Sequence, residues 1–257
     1  MSGREAGKQP LLEVRGRVVR YGAYVAVNGV SFDVAPGEIV AIIGPNGAGK
    51  TTCFNAINGQ RRPHAGSVRL AGKDVVGTTP ERLFRMGVAR TFQVTATVPS
   101  MTVRENVQMA LASHQRRAWR LRGALRELLR EEADALLAAV GMAGQAEAPC
   151  GVLAYGDLKR LELAIALANE PRLLLMDEPT AGMAPGERTA LMALATGFAR
   201  SRGMGILFTE HDMDIVFGHA ERVVVLNRGE RVAAGTPAEI RADARVREIY
   251  LGSGVHA

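Results

Sequence analysis

The stretch that most constrains the fold is IVAII (39–43), wholly apolar, followed without a break by GPNGAGKT (44–51). TTCFNAING then runs on as a helical segment and closes at Gly59. A short run with no polar alternation fits a strand buried on both faces. A buried strand, a glycine loop and a helix, in that order, predict an α/β core. Gly44, Gly47 and Gly49 let the backbone bend until successive N–H groups point inward at an anion. The start of the helix adds its positive end. Lys50 brings a full charge, and the Thr51 hydroxyl can ligate Mg²⁺. The pattern predicts a phosphate-binding loop formed by Gly44, Pro45, Asn46, Gly47, Ala48, Gly49, Lys50, Thr51 and Thr52.

Composition narrows the class further. Lys and Arg total 32 of 257 residues, yet only Lys8, Lys50, Lys73 and Lys159 are lysines, so a lysine inside the loop stands out. The formal net charge of +6 favours anionic partners: nucleotides, nucleic acid or acidic headgroups. A hydrophobic fraction of 47% excludes a disordered chain. No apolar run reaches the ~18 residues of a membrane span. MSGREAGKQP has no apolar stretch to serve as a secretory signal, and residues 1–10 read as a flexible tail. Cys53 and Cys150 alone exclude a disulfide framework and fit a reducing compartment. The expectation is one intracellular domain spanning 11–257.

Strand-like runs LLEVRGRVVRYG and VNGVSFDVAPGE precede the loop, and SVRLAG and GVARTFQ follow it, with TPERLFRMG as a helix between the last two. From about 102 to 170 the apolar spacing turns helical, in MTVRENVQMALASH, the Arg-rich RRAWRLRGALRELLREEADALLAAVG and DLKRLELAIALANE. Strand signals return with RLLLMD, GILFTE and RVVVLNRGERVAAG, the last a hairpin turning at Asn227–Arg228–Gly229. The simplest layout is an α/β core carrying a helical insertion.

LLLMDEP (173–179) is the second chemical element. An apolar strand ending in Asp177 presents a carboxylate at the carboxyl edge of a parallel sheet, where ligands sit. Asp177 is suited to hold Mg²⁺ through water, and Glu178 to polarise an attacking water.

With these two elements in place, the chain resembles the ATP-binding-cassette (ABC) ATPases from about residue 11 onward. The resemblance implies a P-loop NTPase core, with a mixed sheet, flanking helices and an antiparallel β lobe, plus an inserted α-helical subdomain. It implies ATP and Mg²⁺ as ligand and metal. Gln93, in ARTFQ, corresponds to the glutamine that meets both the metal and the transport partner; His211, in LFTEHD, to the switch histidine at the γ phosphate. Tyr21, in RYGAYVAV, is placed like the aromatic that stacks on adenine. Leu153, Ala154, Tyr155 and Gly156, in LAYGD, hold the signature position, which in the family meets ATP held by a second ATPase subunit.

The chain departs from the family in three places. Ala154 stands where serine is frequent, Asp157 where glutamine is frequent, and Ala184, in TAGMAP, where an acidic or amide residue is usual. These changes affect what the chain offers its partner, whereas Lys50, Thr51, Gln93, Asp177, Glu178 and His211 complete its own half-site. An unequal heterodimer is the resulting expectation.

RLELAIALANEPRLLLMDEPTAGM and GTPAEIRADARVREIYLG are similar to ATPase subunits of branched-chain amino acid importers. That likeness implies two integral-membrane permease subunits, a second ATPase subunit and, indirectly, a periplasmic solute-binding protein. It places the chain peripherally on the cytoplasmic face of the inner membrane, with no nucleic-acid partner. The alternative is an ABC ATPase acting on nucleic acid or ribosomes, which the basic charge alone encourages. The arginines Arg116, Arg117, Arg120, Arg122, Arg126 and Arg130 read as a solvated helix face paired with Glu127, Glu131 and Glu132, ahead of a lipid-contacting patch.

Overall fold

The computed structural model describes residues 9–91, 97–114 and 124–251. Two sheets share the work. Strands β1 (Leu12–Tyr21), β2 (Tyr24–Val34), β4 (Ala65–Leu70) and β5 (Lys73–Asp74) form an antiparallel sheet in the order β2-β1-β4-β5. The larger sheet has the order β10-β9-β3-β8-β7-β6, from β3 (Ile39–Ile43), β6 (Val88–Thr91), β7 (Leu173–Asp177), β8 (Gly205–Thr209), β9 (Arg222–Asn227) and β10 (Glu230–Gly235). Its strands run parallel except β10, which returns antiparallel on β9. The α/β class and the antiparallel lobe are both present.

Alternation along the central strands explains their unbroken apolarity. Ile39, Ala41 and Ile43 point into one core, while Val40 and Ile42 point into another. The next strands keep the same parity: Ile206 and Phe208 of β8 and Leu174 and Met176 of β7 join the first core, Leu207, Leu173 and Leu175 the second. Every residue of β3, β7 and β8 is therefore buried. The first core is completed by α3 (Val103–His114), α4 (Ala124–Ala139), α5 (Tyr155–Leu167) and α6 (Pro185–Arg202). The second lies between the two sheets and holds α1 (Lys50–Ile57), through Cys53, Phe54 and Ile57, and α2 (Pro80–Arg85), through Leu83.

The described residues between β6 and β7 form three α-helices and two short 3₁₀ turns. Arg116, Arg117, Arg120 and Arg122 lie outside the described residues. Arg130 reaches Glu147 at 3.4 Å, beyond its own helix, and Glu147 is shared with Arg104. The hairpin turn falls at Arg228 (φ 47°) and Gly229 (φ 80°), the two left-handed positions that a tight two-residue turn requires. Helix α7 (Met213–His219) lies between β8 and β9, and α8 (Pro237–Ala242) and α9 (Ala244–Leu251) follow β10.

Two helix starts of similar sequence show what Ala184 forgoes. At α8, Thr236 accepts from the Glu239 N–H at 3.3 Å while Glu239 accepts from the Thr236 N–H at 2.7 Å. At α6 only the return half is made, Glu187 accepting from the Ala184 N–H at 3.3 Å, because alanine has no acceptor. Ala184→Asp is expected to add roughly 1 kcal/mol of stability. Thermal denaturation should show this as a rise of roughly 2–4 °C. An unchanged or lower midpoint would mean that the α6 N-terminus is satisfied in some other way.

Candidate nucleotide site

The site lies on the carboxyl edge of the parallel strands. β3 delivers Gly44, β7 delivers Asp177 and Glu178, and its neighbour β8 delivers His211 two residues past its end. Residues far apart in the chain meet because their strands are neighbours.

The loop from Gly44 to Gly49 can be built only from small residues at its closest approaches. A Cβ at Gly44 would lie 2.1 Å from the Leu226 carbonyl oxygen, and one at Gly49 2.4 Å from that of Ala26. Gly47 meets no neighbour but has φ 79°, so it is selected by conformation. Ala48 is buried, while Asn46 and Gly47 are exposed. Pro45 and Thr52 are half-buried, and Thr51 is exposed on the first turn of α1. The buried Lys50 ammonium donates to the Gly44 carbonyl at 2.7 Å and the Pro45 carbonyl at 3.2 Å. Burial pulls it below the ordinary lysine value, against the opposing influence of Glu178 and Asp177. The loop thus presents a cation held by its own carbonyls, which an anion can replace.

Asp177 and Glu178 are held in different ways. Asp177 accepts from the Thr209 hydroxyl at 2.7 Å and from Arg90 at 2.9 Å. Glu178 has φ 50°, a left-handed conformation that costs a β-carbon residue roughly 1–2 kcal/mol. The Glu178 N–H compensates by donating to Thr209, whose carbonyl lies at 3.1 Å and hydroxyl at 3.0 Å. The bend brings the Glu178 carboxylate to 2.8 Å from Nε2 of His211. Strain at a carboxylate beside an exposed histidine is characteristic of a functional position.

Tyr21 ends β1 and pairs with Tyr24, two residues from the Ala26 carbonyl that abuts Gly49. The residue is 43% exposed, and the Arg61 guanidinium lies 4.2 Å from the ring centroid. Gln93 lies outside the described residues, just beyond Thr91 at the end of β6. Leu153 and Ala154 lead into α5, whose first residues are an exposed Tyr155 and a buried Gly156. A Cβ on Gly156 would lie 2.7 Å from a Glu187 carboxylate oxygen, so α6 closes over that turn. Ala154 offers the α5 N-terminus no side-chain cap, and Asp157 accepts from Gln145 at 2.7 Å. This group lies outside the Lys50–Glu178–His211 constellation.

Sequence reasoning passes over three residues of the site. Arg90 forks between Asp177, Asn55 at 2.8 Å and Gln60 at 2.7 Å, tying β6 to β7 and to the helix behind the loop. Thr209 and Glu210 immediately precede His211, and that adjacency is the only signal the sequence gives. As for a metal, no group of three or more His, Cys, Asp or Glu gathers among the described residues. Asp177 and Thr51 nevertheless supply two oxygen donors, which fit a hard cation that draws its remaining ligands from phosphates and water.

Known proteins resemble this chain in sequence and in fold. The ABC transporter family matches residues 27–181, and the branched-chain amino acid ATP-binding cassette transporter family matches residues 230–256. The chain is 39% identical to the high-affinity branched-chain amino acid transport ATP-binding protein LivG of Escherichia coli, over 95% of this chain and 98% of that one. It is 38% identical to the corresponding protein BraF of Pseudomonas aeruginosa, over the same shares. Among solved structures, the ADP conformation of an ATP-binding cassette from an ABC transporter superposes with a TM-score of 0.84 at 29% identity, covering 95% of this chain and 99% of that one. A dimeric post-hydrolysis cassette bound to ADP and Pi gives a TM-score of 0.74 at 25% identity, covering 88% and 98%. The family match over residues 27–181 and the identity to LivG across nearly the whole chain place it in the ABC transporter family, as an ATP-hydrolysing subunit.

Proposed function

We propose that this chain energises the import of branched-chain amino acids or related small polar or amphiphilic solutes, docked on the cytoplasmic face of the inner membrane. The observation that carries the catalytic half of this reading is the 2.8 Å Glu178–His211 pair beside Asp177 and opposite Lys50. The cargo rests on the names of the relatives.

Each residue then has a task. On ATP binding, Lys50 exchanges its loop carbonyls for β and γ phosphate oxygens, and the N–H groups of Gly44 and of residues 46–52 surround the same anion. Tyr21 stacks on the base. Thr51, Gln93 and Asp177 would hold Mg²⁺, which when bound supplies positive charge against the developing negative charge of phosphoryl transfer. Glu178 orients the attacking water and accepts its proton, and His211 holds the γ phosphate. Leu153, Ala154, Tyr155 and Gly156 face ATP on a second ATPase subunit, across a dimer that closes with ATP and reopens after hydrolysis. Ala154, Asp157 and Ala184 weaken what this chain offers that second site, which favours an unequal heterodimer over a homodimer. Residues 102–170, entered through Gln93, form the subdomain that meets the permeases. Among the described residues no helix is long and apolar enough to cross a membrane.

Affinity capture of the tagged chain from detergent-solubilised native membranes, with mass spectrometry, tests this. The expected result is two permeases and a second ATPase, with a solute-binding protein encoded or recovered alongside them. Recovery of ribosomes or nucleic-acid enzymes instead would overturn the transport reading.

A further inference from the structure

Glu210 is a buried carboxylate, 4% exposed, in a segment where its neighbour His211 faces solvent. Among the described residues it makes no ion pair with Lys or Arg. Three donors hold it instead. The Thr180 N–H and hydroxyl reach Oε1 at 2.9 and 2.6 Å, and the His211 N–H reaches Oε2 at 3.1 Å. Both oxygens face hydrogen-bearing groups, so an amide of the same shape would set its NH₂ against a donor on one side.

The contacts form a series. Thr209 holds Asp177 and the Glu178 backbone, Glu210 holds Thr180, and His211 meets the Glu178 side chain. Residues 209–211 therefore grip residues 177–180 almost one for one. Within this grip Glu210 is the only side chain that binds both the loop after Glu178 and the backbone of the histidine. A rigid carboxylate with two filled ends sets the distance between those loops. That distance decides whether His211 and Glu178 can face the same phosphate.

We propose that Glu210 is a positioning residue that splints the loop of His211 to the loop of Glu178 and so sets their catalytic separation. The inference rests on the assignment of His211 above. It also gives residues 181–184 a reason to move with the histidine, because Thr180 begins that segment.

The test is a double-mutant cycle on the purified chain with its ATPase partner, comparing parent, Glu210→Gln, His211→Ala and the double variant. Glu210→Gln is expected to lower kcat about tenfold or more, with KM and nucleotide affinity within about twofold of the parent. In the His211→Ala background the same substitution should cost less than about twofold, because the residue it positions is gone. Thr180→Val removes one donor while keeping the backbone N–H and the branched shape. It should lower kcat in the same direction by less, again only when His211 is present. Losses that multiply in the double variant, or a change confined to KM, would overturn the proposal. If His211→Ala leaves kcat unchanged, the assignment of the histidine itself has failed and the positioning role falls with it.

Discussion

Glu178→Gln is expected to cut ATP turnover by roughly 10²–10⁴-fold, the range associated with loss of a positioned general base. The amide keeps the length of the side chain and can still accept from His211, so the loop should hold its shape. It cannot accept the proton of the attacking water. On the proposed assignment the nucleotide is bound by Lys50 and the loop amides, none of which the substitution replaces, so affinity should stay near that of the parent. On the proposed mechanism, ATP that binds but is not cleaved should keep the dimer closed. Steady-state phosphate release and the sedimentation of the variant with ATP would report both consequences. Turnover within a few-fold of the parent would show that another group positions the water.

The phosphate loop was legible because its determinants are consecutive. Strand, glycines, lysine and helix occupy one short stretch, and each states its role through size, charge or conformation. The hairpin at Arg228 and Gly229 was legible for the same reason, as was the helical character of α3, α4 and α5. What could not be read is nonlocal. The larger sheet places β3 between β8 and β9, and nothing in the strands' composition says so. Gln93 and His211 were reached through family likeness, since a lone polar residue after a strand says little. Arg90 within ARTFQ carries no local signal of its role, because its partner Asp177 is 87 positions away. Glu210 escaped notice for the same reason. The closure of Glu187 over Gly156 depends on how two helices cross, which spacing along either one does not reveal.

Arg90→Ala is expected to destabilise the fold by about 3–5 kcal/mol, the usual cost of stranding one member of a buried ion pair. The Arg90 side chain is 9% exposed and that of Asp177 is 3%, so water cannot take the arginine's place. The loss should appear as a drop in melting temperature of roughly 6–20 °C. Arg90→Lys should recover only part of it, because an ammonium cannot reproduce the planar fork that reaches Asp177, Asn55 and Gln60 together. Adding Asp177→Asn to Arg90→Ala removes the stranded charge and should restore much of the stability without restoring turnover. A melting temperature within about 1 °C of the parent for Arg90→Ala would show that Asp177 is satisfied without it.

The parity of the central strands has a consequence for how the protein can come apart. β3, β7 and β8 are a party wall: one side belongs to the room that holds α3 to α6, the other to the room that holds α1. Neither room can be emptied without leaving the other with an exposed side. The helical side and the loop side are therefore expected to share one melting event, because both draw on the same three strands. Along the wall itself, neighbours answer to different rooms. Ala41 can be enlarged only at the expense of the helical side, and Ile42 trimmed only at the expense of the nucleotide side.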